Sequence, residues 1–362
     1  MNHFLTKFAI SLLALTMVGS QLQAQFTTTY AKNATPGQQN GMYYSLPQTM
    51  LRLDFIIEET RYEKGPLGDY TSNYYETMDY VDYESTEYRI VDVKTTPVAC
   101  PDPNALFFVT FATGRGSEKV QFEVLPNGII RSAGVGKKCD DGVDKLVIQK
   151  EQPQCNQEPI EPESDFFAML SLGKSNAQMA KEVVDKIEEI RKAKFYLISG
   201  DVEMASNPQT FNAMYQKLDD LEKEYASLLF GKSVSRKMVK TVYVIPNKEV
   251  STQTVAKFSE TEGFTVGTSG TGNPIAVQTL SLNTTENINA PSQSAVESMS
   301  YENKVFYRVP EMANVKVTCG SATLFEDRMI VNQLGVLLMA PVINSMLEFD
   351  TETGQVVNIR MQ

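Results

Sequence analysis

The sequence predicts an α+β, β-rich fold in which a helical hairpin lies between two antiparallel β units. Apolar and polar residues alternate with a period of two from Gly41 to about Ile148, which is the pattern of half-buried strands. Helical spacing replaces the alternation between Ser175 and Gly231, and the alternation returns after Lys232. We therefore divide the chain into a signal peptide (residues 1–24), an N-terminal β domain (25–152), a linker (153–174), a helical hairpin (175–231) and a C-terminal β domain (232–362).

The N-terminal β unit shows the alternation most clearly in two strands. Residues Leu51, Leu53, Phe55 and Ile57 fall on one face of the first, and Val120 to Val124 alternate in the second. The sequence Pro126-Asn127-Gly128 is typical of a tight hairpin turn. The sequence Pro101-Asp102-Pro103-Asn104 predicts another turn, ahead of a strand from Leu106 to Phe111.

The middle of the chain changes from an extended linker to helices. Prolines among Gln and Glu residues indicate an extended segment between Glu151 and Ser164. Ser175 and Gln178 have the spacing of a capping box, and the second helix is predicted to begin at Pro208 and end before Gly231. We expect the two helices to be antiparallel and to lay their apolar faces on the sheets.

The C-terminal β unit contains a series of shorter alternating segments and polar loops. The last hairpin is predicted to consist of strands at Met346–Asp350 and Gln355–Arg360. Polar loops are predicted at Gly267–Asn273 and Asn283–Ser300. The other predicted strands are Met238–Ile245, Ser251–Phe258, Ile275–Leu282, Lys304–Val309, Val315–Cys319 and Met329–Met339.

The first 24 residues have the pattern of a cleavable export signal. Lys7 precedes an apolar run, Phe8 to Gly19, that is too short to span a bilayer, and the small residue Ala24 precedes the expected cleavage site. The only histidine, His3, lies inside this signal, so the exported protein would lack imidazole as a base or zinc ligand. We therefore predict a periplasmic or envelope-associated protein with no catalytic residue, no metal and no cofactor.

The charge and the remaining apolar segments exclude two further classes of partner. A net charge of −11 repels nucleic acid. After the signal, no apolar stretch approaches the roughly 20 residues that a membrane helix needs, so we predict no transmembrane segment in the mature chain.

The chain contains four cysteines: Cys100, Cys139, Cys155 and Cys319. In an exported protein these residues can form disulfides, and two bridges among four cysteines allow three pairings. We favour a bridge between Cys139 and Cys155, because they bracket an apolar segment and could close its two ends.

Several short strings, in order along the chain, resemble a known family. They are Tyr44–Thr49, Pro101–Asn104, Ile190-Arg191, Lys194-Phe195, Leu197–Gly200, Glu224-Tyr225, Leu228–Lys232, Phe306–Pro310, Gln333–Val336 and Ala340-Pro341. In these strings the chain resembles the secreted Bacteroidetes proteins of domain of unknown function 4831. The resemblance implies a shared fold and an envelope setting, and it implies no activity and no catalytic residue.

The segment from Asp69 to Glu87 has the most unusual local composition, with tyrosines interleaved among carboxylates. Tyrosine rings can stack on sugars or on peptide side chains, and carboxylates can bind calcium or polarise hydroxyls, although the spacing of a calcium loop is missing. The simpler interpretation, which the sequence favours, is an ordered excursion between two strands with half-buried tyrosines. The candidate binding residues are Tyr74, Tyr75, Tyr80, Tyr83, Asp79, Asp82 and Glu84.

Two functional hypotheses follow. The leading one is a non-catalytic binding or structural component of the periplasm or outer-membrane surface, whose partner is an envelope protein or a glycan. The alternative is a glycan-directed hydrolase that uses a carboxylate pair, with Asp79, Asp82 and Glu84 as the first candidates.

Overall fold

The computed structural model describes residues 25–35, 37, 40–76, 79–112, 120–135, 173–199, 208–342 and 345–361. Their strands form three antiparallel sheets. The first contains β1 (Phe26–Tyr30), β2 (Gly41–Glu63), β3 (Ser85–Phe111), β6 (Lys232–Val244) and β10 (Tyr301–Glu302), in the order β10-β1-β3-β2-β6. The second contains β7 (Thr252–Ser259), β8 (Gly263–Val266), β9 (Asn273–Ser281), β11 (Lys304–Cys319) and β12 (Ala322–Pro341), in the order β12-β11-β9-β7-β8. The third contains β4 (Val120–Val124), β5 (Ile130–Val135), β13 (Ser345–Phe349) and β14 (Val356–Met361), in the order β14-β13-β5-β4.

Two long helices, α1 (Asn176–Ser199) and α2 (Pro208–Phe230), lie between the strands in sequence, and a short helix, α3 (Gln293–Ser298), follows later. The predicted β-rich α+β class and the helical pair between β regions are confirmed. The first sheet combines strands from both sides of this pair, because β6 and β10 join β1, β2 and β3. No helix in the described ranges is both long enough and apolar enough to cross a membrane.

The first and second sheets pack face to face over a shared apolar core. The alternation in β2 has its expected effect, since Leu51, Leu53, Phe55 and Ile57 are all buried. They form one cluster with residues of β6, β7, β9 and β11. Complete burial of an aliphatic or aromatic side chain of this size contributes roughly 1.5–3 kcal/mol to the free energy of folding. The buried face of β2 therefore holds the first and second sheets together.

A second core, rich in aromatic residues, joins all three sheets. The rings of Phe107 on β3 and Phe306 on β11 stack with centroids 4.4 Å apart. The hydroxyl of the buried Tyr44 accepts a hydrogen bond from the Phe306 N–H at 3.0 Å, and burial raises the pKa of this phenol. Leu347 of β13 belongs to the same cluster, which therefore holds the third sheet against the other two.

The turn predicted at Pro101-Asp102-Pro103-Asn104 is wrong, because these residues lie inside β3. Ser45 of β2 pairs with Leu106 and Pro47 pairs with Pro101, so one residue of β2 faces four of β3. Prolines lack the N–H that a regular ladder requires and are tolerated at such a bulge. The bulge brings the Asp102 carboxylate 2.7 Å from the guanidinium of Arg308, and both side chains are buried.

Other differences concern the C-terminal strands. The two segments predicted at Lys304–Val309 and Val315–Cys319 are parts of one strand, β11, and the sequence did not predict β8. Glu311, at the irregularity in β11, is buried and accepts hydrogen bonds from the N–H and hydroxyl groups of Thr284 and Thr285. Burial opposes ionisation, but these four hydrogen bonds lower the pKa of Glu311 to about 2. The Glu311 carboxylate therefore holds the loop that follows β9 against β11.

The helical hairpin begins with the predicted capping box. The Ser175 N–H donates to the Gln178 side chain at 3.0 Å, and the Gln178 N–H donates to the Ser175 hydroxyl at 3.4 Å. The helices are antiparallel, as the ion pairs of Arg191 and Lys194 with Glu222 and of Lys194 with Asp219 show. The expectation that their apolar faces lie on the sheets is wrong.

The apolar faces of α1 and α2 instead pack on each other and on the segment between β2 and β3. Their buried cluster includes Leu67 of that segment, Val183 and Ile187 of α1, and Leu229 of α2. The segment contains a 3-10 helix, Gly68–Asn73, and it supplies the apolar surface that a sheet would otherwise provide.

Candidate functional site

The tyrosine-rich segment is the excursion that connects β2 to β3, and it is fixed to the end of α2. The Leu67 N–H donates to the Leu228 carbonyl at 2.9 Å, and the Val81 N–H donates to the Phe230 carbonyl at 2.9 Å. Between them, the Thr71 hydroxyl donates to the Leu229 carbonyl at 2.6 Å. These bonds satisfy carbonyls at the helix C-terminus that have no partner within the helix, and they hold the segment in one place.

Four of the seven predicted binding residues come together around one depression of ≈ 460 Å³. They are Asp79, Tyr80, Asp82 and Tyr83. The remaining wall includes residues from four other elements: the end of β2, the start of β3, the end of α2 and the start of β6. We call this depression the tyrosine pocket.

The other three predicted residues, Tyr74, Tyr75 and Glu84, do not line the tyrosine pocket. Tyr74 is exposed elsewhere on the excursion. The ring of Tyr75 packs on Phe230 with centroids 5.0 Å apart and belongs to the helical core. Burial raises the pKa of its phenol. Tyr75 therefore has the structural role that the simpler interpretation of the segment predicts. Among the candidate tyrosines, only Tyr80 and Tyr83 remain as candidates for binding at the pocket.

The two pocket tyrosines present aromatic surface to solvent. Tyr83 is 73% exposed and Tyr80 is 37% exposed. Tyr62 of β2 adds a third ring to the wall, and its hydroxyl donates to the Glu87 carboxylate at 3.4 Å. Exposed tyrosines beside a concavity are typical of contact sites, because the ring has an apolar face and a polar edge.

The carboxylates of the segment are solvated and lie near a lysine. The Lys64 ammonium is 2.6 Å from Asp69 and 3.8 Å from Asp82. Its hydrogen bond to Asp69 raises the pKa of Lys64. The Asp82 side chain is 74% exposed. Among the residues that the structure describes, no group of three or more His, Cys, Asp or Glu side chains is arranged to hold a metal ion.

The junction of α2 and β6 positions one side of the tyrosine pocket. Gly231 has φ +75, a conformation that favours glycine, and a Cβ there would overlap the Glu63 carbonyl oxygen and approach the Val81 Cβ to 2.9 Å. This close approach sets the chain reversal between Phe230 and Lys232, both of which line the pocket. The sequence predicted a helix end at Gly231 but not its place in the site.

Two further depressions continue the tyrosine pocket along β3. The second, of ≈ 490 Å³, shares Tyr62 and Glu87 with the first. The third, of ≈ 600 Å³, shares Arg89 and Glu260 with the second. We call the three together the β3 trough. Sequence reasoning missed the part beyond Glu87, because Glu260 is placed there by the turn between β7 and β8.

The structure describes two of the four cysteines. Cys100 and Cys319 are free and half-buried, and burial raises the pKa of both thiols. Cys319 lines the third depression. The predicted bridge between Cys139 and Cys155, like the predicted signal peptide and most of the predicted linker, lies outside the described residues.

Comparison with known proteins relates the chain to a family of unknown function. The family described as "Domain of unknown function (DUF4831)" matches residues 40–356, a range that includes the helical hairpin, the β3 trough and the described strands other than β1 and most of β14. No curated protein and no solved structure matches the chain. The match covers most of the chain, and the protein belongs to the DUF4831 family.

Proposed function

We propose that this protein is a non-catalytic binding or structural component of the periplasm or outer-membrane surface, and that it makes contact through the tyrosine pocket. The observation that carries the proposal is the placement of the exposed Tyr80 and Tyr83 rings around a concavity on a segment fixed to α2. A fixed aromatic surface loses little conformational entropy when a partner binds. The pattern of residues 1–24 supports export.

The geometry favours contact over hydrolysis. A glycosidase needs one carboxyl group whose pKa is raised by a dry environment and a second carboxylate opposite to it. The Asp82 side chain is 74% exposed and its carboxylate is 3.8 Å from the Lys64 ammonium, so the dry environment of a catalytic acid is absent. Glu84, the third candidate of the alternative hypothesis, does not line the pocket. These features support a surface that binds an envelope protein or a glycan.

The test is crosslinking in intact cells followed by purification of the chain. We expect a partner to be recovered with the native chain and to be lost with the Tyr80→Ala/Tyr83→Ala variant. Tyr243→Ala is the matched control, because Tyr243 is also exposed but lies on β6 away from the tyrosine pocket. Exposed substitutions change stability by within about 0.5 kcal/mol, so all variants should remain folded.

Recovery of the chain alone across crosslinkers of several lengths would contradict the proposal. Equal recovery of the partner with the double variant and the Tyr243 control would place the contact elsewhere. Release of sugars from envelope polysaccharides by the purified protein, abolished by Asp79→Asn or Asp82→Asn, would favour the hydrolase.

A further inference from the structure

The β3 trough is elongated and follows one strand. The tyrosine pocket includes Ser85 and Glu87, the second depression includes Glu87 and Arg89, and the third includes Arg89 and Ile90. Six residues of an extended strand, from Ser85 to Ile90, cover roughly 17 Å. A ligand that occupies the whole trough is therefore an extended chain, and an extended polypeptide of about six residues has this length.

The charges that line the trough are not balanced. Its two cations are already paired, because Lys232 is 3.0 Å from Glu63 and Arg89 is 2.7 Å from Glu58. Three carboxylates of the lining make no ion pair among the described residues. They are Asp79, Glu87 and Glu260. A ligand with positive charges would therefore be attracted along the trough.

The third depression differs from the other two in its apolar wall. The side chains of Ile90, Phe258 and Leu324 line it, and Phe258 belongs to the core between the first two sheets. An aliphatic side chain entering this depression would remove apolar surface from water. The trough thus has an acidic, aromatic part and an apolar end.

We propose that the β3 trough binds an extended polypeptide segment that carries lysine or arginine over Asp79, Glu87 and Glu260 and an aliphatic side chain in the third depression. This inference rests on the proposed function and names its partner class. Tyrosine rings beside carboxylates suit such a segment, because a cation can lie over the ring and also contact the carboxylate. A neutral glycan would leave the three carboxylates without counter-ions.

The test is the fluorescence anisotropy of a labelled peptide of about eight residues, titrated with the chain from which residues 1–24 have been removed. The probe has lysine at alternate positions and a leucine near one end, and the comparison peptide has glutamine in place of each lysine. We expect the lysine peptide to bind more tightly and to lose affinity as salt is raised, because exposed charges are screened over about 10 Å at 0.1 M salt. Replacing the leucine by serine should also weaken binding.

Variants of the trough test the same contacts from the protein side. Each of Asp79→Asn, Glu87→Gln and Glu260→Gln should weaken lysine-peptide binding about twofold to fivefold, the range of exposed ion pairs, and the triple variant about tenfold or more. Asp185→Asn is the matched control, because Asp185 is an exposed acid on α1. It should leave the affinity unchanged.

Equal affinity for the lysine and glutamine peptides, no binding of either, or equal effects of the triple variant and the control would overturn the inference. Crosslinking separates this failure from failure of the proposed function. If the triple variant still recovers a partner that is lost with Tyr80→Ala/Tyr83→Ala, the tyrosine pocket binds but not through these carboxylates. Recovery of a polysaccharide as that partner would assign the trough to glycans.

Discussion

The ion pair between Asp102 and Arg308 should be the most sensitive polar contact of the fold. The carboxylate and guanidinium are 2.7 Å apart, and their side chains are only 4% and 6% exposed. Arg308 also donates to the Pro47 carbonyl at 2.6 Å, and Asp102 accepts the Asn104 N–H at 2.8 Å. In Asp102→Ala the guanidinium would remain buried without its counter-ion. Removing one partner of such a pair costs about 3–5 kcal/mol, a large share of the roughly 5–15 kcal/mol that stabilises a typical protein.

Urea denaturation of the chain without residues 1–24, followed by circular dichroism, measures this loss as a lower unfolding midpoint. The matched control is Arg89→Ala. Arg89 and Glu58 are also 2.7 Å apart, but their side chains are 73% and 21% exposed, so we expect a loss below about 1 kcal/mol. The two pairs have the same N–O distance and differ strongly in burial.

A double-mutant cycle isolates the interaction from the loss of packing. Arg308→Met keeps much of the arginine's apolar stem and removes its charge. Combining it with Asp102→Ala removes both buried charges, so the double variant should be more stable than the sum of the two single losses predicts, by about 2 kcal/mol or more. Additive losses, or a loss below about 1 kcal/mol for Asp102→Ala, would refute the assignment of a buried, coupled pair.

Two further predictions concern pH and backbone strain. The pKa of Glu311 is about 2 in the folded state and 4.5 in its reference state. The unfolded chain therefore binds more protons between these two pH values. The stability that this carboxylate contributes is present above about pH 4.5 and is lost as the pH falls toward 2. As the pH is lowered, the urea midpoint of Glu311→Gln should fall less steeply than that of the native chain, and identical slopes would contradict this. Gly231→Ala should destabilise the protein more than Gly128→Ala, because both positions have positive φ but only at Gly231 would the new Cβ meet other atoms. The strain alone is worth roughly 1–2 kcal/mol, and equal midpoints in thermal unfolding would rule out the additional overlap.

Local sequence patterns predicted the parts of the fold that depend on neighbouring residues. The alternation from Leu51 to Ile57 identified the buried face of β2, because successive side chains of a strand point to opposite sides. The turn at Asn127-Gly128 was also predicted, and Gly128 has the positive φ that this turn requires. Ser175 and Gln178 formed the expected cap, since its hydrogen bonds join residues three apart.

Contacts between distant segments were not predictable in the same way. The prolines around Asp102 are typical of a turn, yet β2 and β3 pair on both sides of them and continue as one ladder. The carboxylate that the bulge directs inward binds Arg308, which is far along the chain. Likewise, helical spacing predicted the buried face of α1, which includes Val183 and Ile187, but not that the excursion after β2 would cover it.

The sequence predicted the part of the candidate site that lies within one segment, but not the part that distant strands contribute. The composition of residues 69–87 identified Tyr80, Tyr83, Asp79 and Asp82, because a cluster of unusual residues is visible in any linear scan. The strand neighbours that complete the wall depend on register, since Tyr62 pairs with Ser85 on one side and with Ser233 on the other. Their contribution to the site could not be read from spacing.

The position of the trough follows from the unequal lengths of the strands in the first sheet. β1 pairs with β3 only from Phe107 to Phe111, so the other end of β3 is an edge of the sheet. Exposed strand edges invite pairing with other chains. Here the turn between β7 and β8 covers part of the edge, because the Glu260 carbonyl accepts the Tyr88 N–H at 2.8 Å. The remaining edge is bordered by Glu87 and Glu260, whose charges oppose pairing with an acidic strand but attract a basic one. The same arrangement that opposes pairing between copies of a chain of net charge −11 would thus select a cationic partner.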